Sequence, residues 1–370
     1  MDRDRTETLV SRKLVVATTA AVIGAALGAA GWSSAAMAGS RQYAAKQATA
    51  PTLRLGYLVN LTHADAMVGI GEGYFSKYLG RTQLQVSTFN AGPAEVDALD
   101  EGALDAAYMG PSSAITAYEQ SGGRALEVIS GATSGGAELV VEPSLTSAAE
   151  LKGKTLSSPQ LGNTQDVALR YWLKVHGLPT SPNGGGDVAI LPQSNSAIVT
   201  AFASGQIAGA WVPEPYAAEM VQDGGHVLVN EASLWPKGQF ATTVLVVRKQ
   251  FASQYPATVK ALLEAQVAST KFIVSHPAPA QAVVERAFAA LAGKPLSQSV
   301  VSAAWKEITF TDDPVVSSWT TDAKDASAVG LGVGALPVSA IFHLGPLNQV
   351  LVADHLPSVT TAGAGGRASG

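Results

Sequence analysis

Between Thr52 and Val212 short apolar runs alternate with amphipathic stretches. Thr52–Leu58 (TLRLGYL), Leu84–Phe89, Asp105–Met109 and Leu126–Ser130 read as strands, as do Thr155–Ser157, Val188–Leu191 and Gly209–Val212. Helical periodicity marks a stretch running on to Tyr78, then Pro93–Glu101, Ser112–Gln120, Asn163–Val175 and Asn195–Ser204. This alternation specifies α/β layers with mostly parallel strands. From Lys249 onward the pattern turns almost purely helical, through Ala257–His276, Pro277–Ala292, Ser297–Lys306 and Pro314–Val329. In Asn163–Val175, residues Ala168, Tyr171, Trp172 and Val175 recur at helical spacing and predict the buried face.

One internal similarity points to two lobes. ALDEGALDAAY (98–108) resembles AFASGQIAGAW (201–211) at an offset of 103 residues. In each copy a helix ends at a glycine, and a short strand then runs into a Gly/Pro turn and another helix. Two copies are too few for a solenoid. They imply two pseudo-equivalent α/β lobes, each presenting the same strand-to-helix corner to a shared cleft.

The corners are where chemistry is expected. After Leu58 comes Val59-Asn60-Leu61-Thr62-His63-Ala64-Asp65, where Thr62 and Asp65 have the spacing of a capping box. A helix N-terminus offers free N–H groups and partial positive charge to an anion. His63 either donates to that anion or is a solvated surface residue, and Thr62 either contacts it or only caps. At Gly110-Pro111-Ser112-Ser113, Gly110 permits close backbone approach and Ser112 or Ser113 is a natural N-cap. At Gly162-Asn163-Thr164-Gln165, Asn163 is the expected N-cap, and Gly177 with Pro179 closes the helix. At Trp211-Val212-Pro213-Glu214-Pro215-Tyr216, Trp211 is either an apolar ligand wall or a core tryptophan. Glu214 either serves its own helix N-terminus or meets a donor on the ligand, shielded by His63 if that ring is protonated. Asn60, Thr62, His63, Gly110, Ser112, Ser113, Gly162, Asn163, Thr164, Gln165, Trp211 and Glu214 are therefore the candidate ligand-binding residues. No corner carries Lys or Arg in its turn or first helical turn, so hydroxyls, amides and backbone N–H groups must hold any anion.

The ends of the chain read differently. Arg3, Arg5, Arg12 and Lys13 precede an apolar run from Leu14 to Ala30, and Ala36-Met37-Ala38 stands before Gly39. That order predicts a cleavable signal peptide over 1–38, and hence a periplasmic or secreted protein. Residues 39–50 read as a flexible leader and 360–370 as a disordered tail. The chain has no cysteine, which excludes lipidation at a lipobox, disulfides and thiol catalysis. Cleavage removes four of 24 basic and three of 29 acidic residues, leaving 20 and 26, a net charge of −6. No basic stripe exists for nucleic acid.

Enzyme signatures fail. Gly153-Lys154-Thr155 lacks the upstream glycine of a phosphate loop, since Ala148 stands there. Gly69-Ile70-Gly71-Glu72-Gly73 has the wrong spacing for a dinucleotide fingerprint and sits at a helix end. The six histidines show no metal-ligand spacing, and no G-x-S-x-G elbow occurs. No cofactor or metal is expected.

LRLGYLVNLTHADAMVGIGEGYF, FNAGPAEVDALDEGALDAAYMGP, AELVV, SAAELKGKTLSSPQLGNTQDVALRYWL, AFASGQIAGAWVPEPYA and IFHLGPLNQVLVADHLPSV occur in that order. Together they resemble the aliphatic-sulfonate, nitrate and taurine substrate-binding proteins of ABC importers from about residue 52 to residue 356. The resemblance implies a type II periplasmic-binding-protein fold: two α/β lobes joined by two hinge strands, with a helical C-terminal region. It places the crossings near Val140–Val141 and Thr242–Leu245. The lobes then divide as 51–140, 141–241 and 242–359, the last returning to the first lobe. It implies a monomer that captures a small organic anion, an aliphatic sulfonate first. Nitrate, taurine, a sulfate ester or a carboxylate are alternatives. The implied partners are a membrane permease and its ATPase. An enzyme on the same fold, or a ligand sensor, is the remaining alternative.

Overall fold

The computed structural model describes residues 48–361, apart from Val333 and Ala335. The expected signal peptide and most of the expected leader and tail lie outside the described residues. The last leader residue is held: Ala50 N donates to Thr258 Oγ1 at 2.7 Å, and its carbonyl accepts from Thr82 Oγ1 at 2.6 Å.

The first half of the chain runs β1 (Thr52–Leu58), α1 (Ala64–Gly71), α2 (Tyr74–Leu79), β2 (Gln83–Phe89), α3 (Gly92–Asp100), β3 (Ala106–Met109), α4 (Pro111–Gln120) and β4 (Leu126–Gly135). Then come β5 (Ala137–Val141), β6 (Thr155–Ser158), α5 (Thr164–Val175), β7 (Ala189–Pro192), α6 (Asn195–Ala203), β8 (Gly209–Pro213), α7 (Tyr216–Gln222) and β9 (His226–Asn230). The chain closes with β10 (Ala241–Arg248), α8 (Lys249–Gln254), α9 (Pro256–Ser275), α10 (Pro277–Ala292), α11 (Gln298–Lys306), β11 (Ile308–Phe310), α12 (Val316–Ala328) and α13 (Gly345–Ala353). The short strand β11 interrupts the run expected to be purely helical.

These strands form two sheets, β11-β4-β10-β3-β1-β2 and β7-β6-β8-β5-β9. In the first, β1 pairs in parallel with β2 and β3, and β10 joins β3 antiparallel. In the second, β6 pairs in parallel with β7 and β8, and β5 joins β8 antiparallel. The two lobes therefore repeat one topology. The 103-residue offset carries α3 onto α6 at both ends, and each helix stops at a left-handed glycine, Gly102 (φ 73°) and Gly205 (φ 71°). Only a residue without a Cβ takes that conformation cheaply, so the stop is written locally.

The crossings fall elsewhere than expected. The chain leaves the first sheet at Gly135–Gly136, because all of β5, Val140 and Val141 included, is already paired with β8. Both glycines have positive φ (80° and 74°), and a Cβ on Gly135 would stand 2.5 Å from Glu307 O. The return crossing spans 231–240, so Thr242–Leu245 lies inside β10 and not at the hinge. Thr242 Oγ1 donates to Gly135 O at 2.6 Å and ties the crossings together.

Helices cover both faces of each sheet, and Leu53, Leu55, Tyr108, Leu245 and Val247 are buried in the main core under α1, α2, α9 and α10. The C-terminal helices contact the second lobe as well as the first. Helix α11 packs on α7, and α12 on α5 as well as α4, so this region straddles both lobes. Among the described residues, no helix is long and apolar enough to cross a membrane.

Candidate functional site

The carboxyl ends of the parallel strands β1, β2, β3 and β6, β7, β8 lead into loops that meet between the lobes, where open α/β sheets hold ligands. The lobes are closed on each other there. Leu61 N donates to Glu214 O at 2.9 Å, and Tyr216 Oη to Val59 O at 2.7 Å.

The N-termini of α4 and α5 come from opposite lobes and face each other. Asn163 caps α5, as expected, its Oδ1 accepting from Gln165 N at 3.1 Å. Thr164 follows in the first turn, and its Oγ1 accepts from Ser112 N at 3.3 Å across the cleft. Helix α4 is capped by Gly110, not by a serine. Ser112 and Ser113 lie inside its first turn, buried, with hydroxyls that have no protein partner. The backbones approach so closely that a Cβ on Gly110 would stand 2.3 Å from Thr164 Oγ1. Gly162, with φ 79°, donates its N–H to Asp166 Oδ2 at 3.0 Å and so shapes the turn instead of offering a donor. Asp166 also accepts from Ser158 Oγ at 2.6 Å and Arg170 Nε at 2.9 Å, a fully buried pair beneath the α5 terminus. The predicted buried face of α5 rotates accordingly: Val175 is 56% exposed, and Leu169 and Leu173 take its place inside.

At the first corner the capping box does not form. Thr62 Oγ1 donates to Asn60 Oδ1 at 2.9 Å, and Asp65 is buried against Thr270 Oγ1 at 2.8 Å, because α9 lies over it. His63 is neither solvated nor charged. Its Nδ1 accepts from Leu58 N at 3.2 Å, and burial pushes its pKa down to about 3, so it cannot shield Glu214 as a cation.

Trp211 is a core residue. It is fully buried, donates its indole N–H to Glu231 Oε2 at 2.8 Å, and meets Trp172 edge-on at 6.4 Å between centroids. Glu214 Oε2 accepts from Ala218 N at 3.0 Å, so it serves the start of α7. Burial first, and Glu138 next, raise its carboxyl to about 8, so it is neutral at pH 7.

Two further corners complete the cleft. Leu58, Val59, Phe89, Asn90, Asn195, Ser196 and Tyr216 line a cavity of about 30 Å³, room for a water molecule or two. Asn195 is the first residue of α6, and Asn90 lies two residues before α3. The 103-residue offset maps Gly92 onto Asn195 and Asn90 onto Gln193, so the repeat did not mark this pair. Among the described residues, no group of three or more His, Cys, Asp or Glu is placed to hold a metal.

Comparison with known proteins adds the family. The profile of the NMT1-like family matches residues 46–288. The taurine-binding periplasmic protein of Escherichia coli (strain K12) is 26% identical over 238 residues, covering 64% of this chain and 70% of that protein. The alkanesulfonate-binding protein of Xanthomonas axonopodis pv. citri, solved with MOPS bound, superposes with a TM-score of 0.67 at 19% identity, covering 80% of this chain and 100% of that one. The periplasmic nitrate-binding protein of Synechocystis PCC 6803 gives a TM-score of 0.70 at 15% identity, covering 85% and 92%. The fold is that of periplasmic binding proteins.

Proposed function

The chain belongs to the NMT1-like family, and from that premise we propose that it is an extracytoplasmic solute-binding protein that delivers a small organic anion to an ABC importer. The observation that carries this reading is the pair of opposed helix N-termini, Ser112 N–H reaching Thr164 Oγ1 from the other lobe at 3.3 Å. A sulfonate inserted there takes the free amides of α4 and α5 and the hydroxyls of Ser112, Ser113 and Thr164. Its charge is then held by oriented dipoles in a site closed to water. No lysine or arginine is needed, and His63, neutral, supplies none. An aliphatic tail finds Phe89, Leu58 and Tyr216 instead of the expected Trp211.

Capture proceeds by closure about the two crossings, with Gly135–Gly136 as the pivot. The monomer is released to the periplasm after cleavage before Gly39 and then docks on a permease driven by its ATPase. The relatives named above are binding proteins, which supports this over an enzyme. Calorimetry with alkanesulfonates, nitrate, sulfate esters and carboxylates tests the reading. Thr164→Val, which leaves an acceptor of the ligand unpaired, is expected to weaken binding by about 1–3 kcal/mol. Unchanged affinity in that variant would refute the opposed-helix site.

A further inference from the structure

Three carboxyls gather beside the pivot. Strand β5 pairs with β8 so that Glu138 stands opposite Val212, and Glu214 follows two residues later on the same face. Glu214 N donates to Gly136 O at 2.9 Å, which fixes this corner to the first crossing. Glu307 comes from the other sheet, one residue before β11, whose Ile308 pairs with Gly135 at the end of β4. Asn230 joins the two sides: its Nδ2 donates to Glu138 Oε1 at 2.8 Å and to Glu307 Oε2 at 2.7 Å.

The cluster is short of positive charge and of donors. Asn230 Nδ2 has two protons, and those two bonds use both. Glu138 and Glu214 are only 5% and 2% exposed. Among the described residues, none of the three glutamates forms an ion pair. The charged groups on the surrounding elements are engaged elsewhere. On α7, Glu219 is held by Lys294 at 3.0 Å, and after β9, Glu231 accepts from the Trp211 and Trp235 indoles. At the first corner His63 is neutral. A carboxyl buried without a cation is costly to ionise, so it keeps its proton. Burial first, and Glu307 next, lift Glu138 to about 7, below the value of about 8 at Glu214.

Part of what buries Glu214 belongs to the other lobe. Leu61 N reaches Glu214 O at 2.9 Å, and Thr62 Cγ2 stands 3.2 Å from the point a Gly136 Cβ would occupy. We propose, resting on the cleft reading above, that closure on the anion takes up a proton at Glu214, with Glu138 beside it, so that capture is coupled to pH. Opening withdraws Leu61 and Thr62, admits water to the carboxyl and lets the proton go. The closed complex gains an anion and a proton together, and so buries no net charge. The closed form holds the proton more tightly than the open one. Closure is therefore favoured in full at acid pH and loses that advantage as pH rises through about 8.

The test is titration of ethanesulfonate, whose charge is constant over this range, into the full exported protein. Proton uptake is read by pH-stat in unbuffered chloride solution, and affinity by calorimetry. At about pH 7 the wild type is expected to take up between about half and one proton per anion bound. Its affinity is expected to fall about tenfold or more between about pH 6 and about pH 8. Glu214→Gln, an uncharged near-isostere, takes up none and keeps the acid-limb affinity at every pH. Should that variant fail to fold, Glu138→Gln removes the neighbouring charge and moves the fall of affinity to lower pH. Asp65 and Asp312 also hold protons in this range, at about 8 and about 6, but both are bonded to Thr270 within the first lobe. An uptake undiminished in Glu214→Gln assigns the proton to them and overturns the inference. A wild type that binds with no uptake and a flat pH profile, or an unmoved fall in Glu138→Gln, overturns it too and leaves the anion site standing. Failure of ethanesulfonate to bind at any pH overturns the cleft reading and this inference with it.

Discussion

Gly110→Ala isolates the contact on which closure depends. Gly110 has φ −74° and ψ 152°, an extended conformation that alanine adopts freely, so the backbone is not strained. The added methyl would stand 2.3 Å from Thr164 Oγ1 and 3.3 Å from Thr164 Cβ, both on the opposite lobe. A comfortable separation is roughly 3.5 Å, so the lobes must part by roughly 1 Å here, or Thr164 must turn. A β-branched side chain in a first helical turn turns reluctantly, and doing so gives up the contact with Ser112 N. Overpacking of this kind costs about 1–3 kcal/mol. Only the closed state bears that cost, so the dissociation constant of the bound anion is expected to rise roughly 5- to 150-fold. Calorimetry reads the affinity, and small-angle scattering reads closure as a loss of compactness in Gly110→Ala. The decisive control is the double-mutant cycle with Thr164→Ala, which removes Oγ1, the nearer contacting atom, and leaves only Cβ at 3.3 Å. In that background Gly110→Ala should cost less than about threefold. A penalty undiminished by Thr164→Ala, or wild-type affinity in Gly110→Ala, refutes the claim that these two helix ends meet on closure.

Three further outcomes are expected. Asn163→Ala removes the α5 cap and lowers stability by about 1 kcal/mol in denaturant melts, and an unchanged midpoint would contradict the cap. Arg170→Leu strands the buried Asp166 carboxylate and costs about 3–5 kcal/mol, part of which Asp166→Leu restores in the same chain; a loss under about 1 kcal/mol would show the pair to be dispensable. Glu214 binds its proton more tightly folded than unfolded, its pKa rising from 4.5 to about 8. Its contribution is therefore fully present below about pH 4.5 and is lost as pH rises through about 8, so Glu214→Gln should flatten the fall of melting temperature across that window. A slope identical to wild type would place the titration elsewhere.

Whatever depends on neighbours in sequence was legible in the chain. Apolar periodicity located seven of the eleven strands and most of the helices to within about five residues, because burial of one face imposes its period locally, but it gave no strand at β5, β9, β10 or β11. The Asn163 cap and the glycine stops at 102 and 205 are likewise local, each set by one residue's backbone freedom or side-chain reach. The 103-residue offset even carried the two-lobe topology, since both copies pair their strands alike. Tertiary structure decided what depends on partners distant in the chain. Trp211 reads the same from its neighbours whether it walls a cleft or fills a core, and only Trp172 and Glu231 place it inside. Thr62 and Asp65 had capping spacing, but helix α9, some two hundred residues on, supplies the stronger partners for Asp65. Pairing of β5 with β8 moved the crossing from Val140–Val141 to Gly135–Gly136. The meeting of Gly110, Ser112 and Thr164 joins the two lobes, and the burial of Glu95, His63 and Glu214 that shifts their pKa values is likewise made by elements distant in the chain. Desolvation and hydrogen bonding sum over every element packed around a group, and that sum cannot be formed from one segment of the chain.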